Sequence, residues 1–591
     1  MIPSLDFATL TTAYATGTLT PEEVLSCIYN RIAVEGARPV WITVVPRATA
    51  FAKLKVAPKG PLWGIPYAVK DNIDVAGLPT TCACPDFAYT PNRSATVVER
   101  LEAAGAILIG KTNLDQFATG LVGTRSPYGI PSSVFDPDYI SGGSSSGSAV
   151  AVASGHVSFS LGTDTAGSGR VPAAFNNIIG LKPTKGLIST RGVVPACRSQ
   201  DTVSIFALTS ADAARVLDVA AAYDAGDIYA RRSPTYACEP LTGGLRVGVP
   251  LGRLEFCGDS ETDRLYDLAV ERLRALGCQI VPFDFEPFRE AASLLYSGPW
   301  VAERLAATRD LATTKPDAIH DVVRGIIIGA ETLTAIAAFE GFYRLAELAR
   351  RAEAEWAKMD TLILPTTPTT YKISEVLADP LQLNSNLGLY TNFVNLMDLS
   401  ALAVPAGFRQ NGLPVGVTVI GRAFDDKRLA VLGDALHRSL DGIGLGATSV
   451  PLASTPSIAT TPSKRIEVAV VGAHLTGQPL NSQLVERSAR LVRTTRTAPG
   501  YSFYALANTN PPKPGLVNDG KGAGNIEVEI WEMENEGFGS FVALIPPPLG
   551  IGTLKLADGT HVKGFLCESH AVMDAEDITR HGGWRAWLAS E

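Results

Sequence analysis

The sequence predicts an α/β protein, a central sheet covered by helices, followed by a smaller α+β domain. Two observations carry this. Helix and strand signals alternate along the first 440 residues, and the composition changes near residue 441 into a tail of short strand-like runs. Thr20-Pro21-Glu22-Glu23 reads as a capping box with proline at the first helical position; Val24, Leu25, Ile28 and Ile32 then share one helical face. Residues 94–104 read as a helix ended by Gly105, with a short buried strand at 106–109. The Ala-rich stretch 147–154 reads as a buried helix and 157–161 as a strand; 261–276 reads as an amphipathic helix and 278–285 as a strand. Strand 361–364 and helix 425–440 close the alternation. Residues 441–465 are rich in Gly, Ala, Ser, Thr and Pro without periodicity, the composition of a linker or a long surface loop, and separate expected domains at 1–440 and 466–591. In the tail, 466–471, 503–506, 526–531 and 541–545 read as strands, and 554–556 with 561–565 flank Asp558-Gly559, a tight-hairpin signal.

A chain of 591 residues, 46% hydrophobic and 19% charged, is long enough for a large core and is not a disordered polymer. The 51 Lys and Arg against 59 Asp and Glu leave a formal net charge of −8, which argues against nucleic acid or an anionic membrane as a general partner. Eight Cys without a CxxC pair fit reduced thiols, and seven scattered His give no zinc spacing. No apolar run approaches the roughly 20 residues that span a bilayer, and MIPSLDFATL lacks a secretory pattern. The expectation is a cytoplasmic protein with no metal and no cofactor.

The stretch 141–170, SGGSSSGSAVAVASGHVSFSLGTDTAGSGR, places two small-residue loops around one helix and one strand. Small residues let a backbone approach a ligand and point several N–H groups at it. Gly162-Thr163-Asp164-Thr165-Ala166-Gly167-Ser168 would present consecutive amides around one serine, which suits the oxyanion of an acyl-transfer transition state. A flexible linker or a structural turn shares this composition; the standard phosphate-loop patterns are absent. A serine nucleophile needs a base, and no GxSxG elbow or obvious His partner supplies one. Lys70 ends the apolar run Gly64-Ile65-Pro66-Tyr67-Ala68-Val69 and would serve if burial lowered its pKa from about 10.4 toward neutrality. Read alone, it is rather a strand-end lysine that reaches solvent.

Residues 142–170 resemble the signature of the amidase signature family, 64–72 resemble that family's lysine segment, and Gly180-Leu181-Lys182-Pro183-Thr184 matches downstream. The resemblance covers roughly 5–440 and implies the family's mixed central sheet. It also implies a triad: Lys70 as base, Ser144 as a bridging serine on a cis peptide bond, and Ser168 as nucleophile. The implied oxyanion donors are the amides of Thr165, Ala166, Gly167 and Ser168. Ala166 departs from the glycine that many members carry, which is harmless if its backbone suits a Cβ.

Two further resemblances concern the substrate. Tyr296-Ser297-Gly298-Pro299-Trp300-Val301-Ala302-Glu303-Arg304 looks like a segment typical of allophanate hydrolases, in which a tyrosine and an arginine eight residues apart bind the substrate carboxylate. Tyr296 and Arg304 match them, and Gly120 and Gly143 are carried over as substrate-binding positions. A guanidinium holds a planar carboxylate by two parallel hydrogen bonds, although read alone Arg304 could be an exposed helix residue and Tyr296 a core aromatic. The tail, with Val471-Gly472-Ala473-His474-Leu475, resembles the C-terminal domain of allophanate hydrolases, similar in fold to γ-glutamyl cyclotransferases. That likeness puts His474 forward as a base acting on the first product. It implies hydrolysis of allophanate to ammonia and N-carboxycarbamate, the latter losing CO₂ and yielding a second ammonia. It further implies a homodimer and substrate from a separate urea carboxylase. The alternatives are a general small-amide amidase or the glutaminase component of an amidotransferase, with a non-catalytic binding or dimerisation tail.

Overall fold

The computed structural model describes residues 4–36, 38–233, 241, 244–440, 442–453, 458, 465–487, 489–507, 509–522 and 525–590. The chain divides into two compact units, Met1–Thr460 and Thr461–Glu591.

The first unit is built on an 11-stranded mixed sheet. Its strands are β1 Trp41–Val44, β2 Pro66–Lys70, β3 Ile107–Thr112, β4 Phe159–Asp164, β5 Ile179–Lys182, β6 Thr202–Ala207, β7 Arg246–Pro250, β8 Gln279–Phe283, β9 Thr361–Pro365, β10 Leu399–Phe408 and β11 Pro414–Arg422. The spatial order is β1-β3-β2-β4-β6-β5-β10-β11-β9-β7-β8. β2 lies between β3 and β4, parallel to both, while β4–β6, β6–β5 and β5–β10 are antiparallel. A parallel strand covered on both faces reads as an apolar run, and all five residues of β2 are buried, the terminal lysine included. The capping box forms: Thr20 Oγ1 accepts from Glu23 N and Glu23 Oε2 accepts from Thr20 N, opening the helix Pro21–Glu35. The helix Ser146–Ala153 has no polar face and is buried along its whole length. Among the described residues no single helix is long and apolar enough to cross a membrane.

Residues 444–451, expected within a linker, turn back on the first unit. Asn177 Nδ2 donates to Gly444 O and Gly446 O, Ala447 N donates to Ala153 O, and Leu445 is buried. Residues 441, 454–457 and 459–464 of the expected linker lie outside the described residues.

In the second unit a 5-stranded sheet has the order β13-β16-β12-β18-β17, from β12 Arg465–Val470, β13 Arg490–Arg496, β16 Glu527–Glu534, β17 Leu549–Lys555 and β18 His561–Cys567. A 3-stranded sheet joins β15 Pro514–Asn518, β14 Tyr501–Ala505 and β19 Glu576–Asp577. β17 and β18 form the expected hairpin, with Gly559 at φ +86° in the turn. The expected strand at 541–545 is instead the end of a helix, Asn535–Val542, and the turn after it. Phe538 and Phe541 stand one turn apart on this helix, Phe541 in the tail's core and Phe538 packed against it, so the helical period governs residues 538–541.

Candidate active site

Three elements of the first unit meet at one point: the end of β2, the turn before the helix Ser146–Ala153, and the turn after β4. Helix and strand are stitched together by the small polar residues of the motif. Ser145 Oγ donates to Thr163 O and Ser148 Oγ to Leu161 O. Lys70 Nζ lies 2.7 Å from Ser144 Oγ and 2.8 Å from Thr163 Oγ1, and Ser144 Oγ lies 3.0 Å from Ser168 Oγ. The Gly143–Ser144 peptide is cis. Lys70 has no exposed surface, and burial lowers its pKa to about 7 against the opposing pull of Asp115, Asp201 and Asp164. A lysine titrating there is neutral in a large fraction of molecules at physiological pH and can accept a proton.

Beyond β4, the amides of Ala166, Gly167 and Ser168 donate to no acceptor among the described residues. Three consecutive amides without partners in buried residues are unusual, because buried backbone groups are nearly always paired. Gly167 has φ +144°, and a Cβ there would stand 2.5 Å from Thr391 Oγ1, so this position demands glycine. Ala166 has no positive φ, so its Cβ is compatible with the turn. The turn is pinned from behind: Arg170 grips Asp164 by two hydrogen bonds of 2.9 and 3.0 Å, and Asp164 Oδ2 also accepts from Gly169 N. Asn395 Nδ2 donates to Asp164 O. Thr165 Oγ1 donates to Asp201, whose burial raises its pKa to about 6.

Gly120 and Gly143 both rest on the carboxylate of Asp115. A Cβ would come within 2.7 Å of Asp115 Oδ2 at Gly120 and within 2.1 Å at Gly143. That carboxylate accepts from the amides of Gly123 and Arg125, and Gly143 N donates to Leu121 O, which joins the two loops.

Tyr296 lies near the end of the helix Glu286–Ser297 and Arg304 in the first turn of the helix Val301–Thr314. The Arg304 guanidinium stands 5.3 Å from the Tyr296 ring centre and donates to Tyr296 Oη at 3.4 Å and to Thr119 Oγ1 at 2.9 Å. It is 2% exposed, and its Nε has no hydrogen-bond partner among the described residues. No carboxylate there forms an ion pair with it either. Burial opposes its charge, but Asp201 and Glu303, beyond ion-pair distance, act the other way and its pKa is raised, so the guanidinium stays charged while its Nε has no partner among the described residues.

His474, in the second unit, is half-buried. Its Nε2 lies 3.0 Å from Gln483 Oε1, and its ring is stacked on Phe565 and edge-on to Phe541. Burial lowers its pKa below the ordinary histidine value.

Several groups around the triad were not singled out from sequence: Thr163, Asp164, Arg170, Asp201, Thr391 and Asn395. Thr163, Asp164 and Arg170 stand inside the motif itself; the other three lie beyond it in the chain.

A buried Ser–Ser–Lys chain beside unpartnered amides, on a mixed sheet of this order, is the arrangement of an amidohydrolase. The amidase family model matches residues 41–430, and the allophanate hydrolase C-terminal domain model matches 466–589. The chain belongs to the amidase family and carries an allophanate hydrolase C-terminal domain. The solved Kluyveromyces lactis allophanate hydrolase is 43% identical, with 97% of this chain and 98% of that one covered and a TM-score of 0.73. The urea amidolyase of Saccharomyces cerevisiae is 43% identical over 570 residues, which are 93% of this chain. The chain spans about a third of the length of such urea amidolyases, 31% and 32% for two of them. A glutamyl-tRNA(Gln) amidotransferase subunit from Symbiobacterium thermophilum is 37% identical over 478 residues, covering 73% of this chain and 96% of that one.

Proposed function

We infer that the chain hydrolyses allophanate, with Ser168 as nucleophile, Ser144 as proton carrier and Lys70 as base. Ser168 gives its proton to Ser144 as Ser144 gives its own to neutral Lys70, and Ser168 Oγ bonds to the carbonyl carbon of the terminal amide. The resulting oxyanion is received by the amides of 165–168. The proton returns through Ser144 to the nitrogen, the C–N bond breaks and ammonia leaves. Water, deprotonated by the same relay, then attacks the acyl-enzyme and releases N-carboxycarbamate and free Ser168.

The observation that carries the substrate reading is Arg304, a buried guanidinium beside Tyr296 whose Nε is unpartnered and which has no carboxylate within ion-pair distance among the described residues. An anionic amide would set its carboxylate directly against that guanidinium, with the backbone at Gly120 and Gly143 closing the site around it. The likeness to the Kluyveromyces lactis enzyme over nearly its whole length supports the same substrate. A glutaminase component is the weaker reading, because the amidotransferase relatives cover the amidase portion of the chain while the tail matches the allophanate hydrolase C-terminal domain. The test is ammonia release from allophanate, biuret, urea and glutamine by wild type and Ser168→Ala. Preference for allophanate and loss of turnover in Ser168→Ala are expected. Turnover of neutral amides alone would overturn the substrate.

The same reading assigns His474 to the fate of N-carboxycarbamate. It also includes a homodimer, a cytoplasmic location and a urea carboxylase as the source of substrate. Mass in solution, cell fractionation and coupled turnover of urea test these three.

A further inference from the structure

The clamp and the nucleophile's turn are far apart in sequence, yet one short loop is bonded to both. On its outer side, residues 196–201 meet the clamp helix. Ser199 N donates to Glu303 Oε2 at 2.8 Å, Ser199 Oγ donates to the other oxygen of the same carboxylate, and Cys197 Sγ lies 3.3 Å from Trp300 O. Glu303 is the residue before Arg304, and Trp300 caps the helix that carries it. On its inner side, the loop presents Asp201, which accepts from Ala196 N, Cys197 N and Thr165 Oγ1. Asn395 ties the loop to the end of β4, donating to both Gln200 O and Asp164 O. Ala166, Cys197, Leu295 and Trp300 share one buried apolar cluster, so the space between the two parts is filled.

We propose that residues 196–201 are a strut that fixes the distance between the Arg304 carboxylate clamp and the oxyanion turn, with Ser199, Glu303 and Asp201 as positioning residues. The proposal rests on the reading of Arg304 as the substrate's carboxylate ligand. A substrate held at both ends, by its carboxylate and by its reacting carbonyl, needs that distance to be right. A neutral amide held only at the oxyanion turn does not. A misplacement of about 1 Å at the reacting centre costs about 10²-fold in rate. Loosening the strut therefore penalises anionic amides selectively, and it lowers kcat as well as raising KM because the carbonyl is no longer brought into register.

The experiment compares malonamate with its neutral counterpart malonamide on the full chain, for wild type, Ser199→Ala, Glu303→Gln and Ser199→Thr. In Ser199→Ala and Glu303→Gln, kcat/KM for malonamate is expected to fall by about tenfold or more, with kcat contributing, while that for malonamide stays within about threefold. Ser199→Thr, which restores the hydroxyl, returns malonamate turnover toward wild type. Equal losses on both substrates would mean that the loop only supports the fold, and would overturn the strut. A rise in KM with kcat unchanged would overturn it too, leaving Arg304 as an uncoupled clamp. If wild type itself shows no preference for malonamate, the carboxylate reading fails and the strut fails with it.

Discussion

Lys70 has no exposed surface and two hydroxyl oxygens within 2.8 Å, whereas His474 is half-buried, with one amide oxygen at 3.0 Å and two phenylalanine rings around it. Both are bases whose pKa is lowered by burial. They differ in what stands next to them. Lys70 leads through Ser144 to Ser168 and to a row of amides with no acceptor among the described residues. His474 leads to Gln483, a neutral side chain. A lowered pKa is therefore a weak guide to machinery on its own, and a connected path from base to nucleophile to charge-stabilising donors is a strong one.

Substitutions can sharpen this contrast. Ser168→Ala is expected to reduce amide turnover by more than about 10⁴-fold. His474→Ala is expected to leave first-ammonia release within about tenfold, so a larger loss would make the two sites comparable and break the distinction. Next in size is Gly167→Ala, which places a Cβ 2.5 Å from Thr391 Oγ1 at a backbone angle reserved for glycine. The displaced turn is expected to lose about 10²–10³-fold in kcat with the fold intact by circular dichroism, the scale of one lost oxyanion donor. A smaller effect follows from pH. Protonated Lys70 cannot take a proton, and its pKa is about 7, so kcat/KM is expected to fall roughly tenfold per unit as pH drops below that value. His474→Ala should leave this limb in place. A limb that vanished in His474→Ala would assign the titration to the wrong unit.

Much of the site was legible because the amidase motif is local. Residues 141–170 contain both serines, the turn and its Asp164–Arg170 brace, and the apolar run before Lys70 already marked a buried strand. The capping box and the alternation of elements follow from the same local rules. What could not be read were the partners that the sheet order brings in from a distance. Asp201 reaches Thr165 only because β6 pairs with β4, and Asn395 reaches Asp164 across 231 residues. The helix Asn535–Val542 was hidden by Gly537 and Gly539, which weaken the helical signal while the buried Phe541 still holds to its period. That Arg304 is buried with an unpartnered Nε and no carboxylate within ion-pair distance among the described residues depends on tertiary packing rather than spacing.

The most direct test of the account is the ratio of kcat/KM for malonamate over malonamide in wild type and Arg304→Ala. The account expects a large ratio in wild type that falls by about 10²–10⁴-fold in the variant, because two hydrogen bonds to a charged group, each about 1.5–3 kcal/mol, are lost for the anion alone. A ratio unchanged by the substitution would show that the buried guanidinium does not receive the substrate's carboxylate, and the allophanate reading would lose its central support.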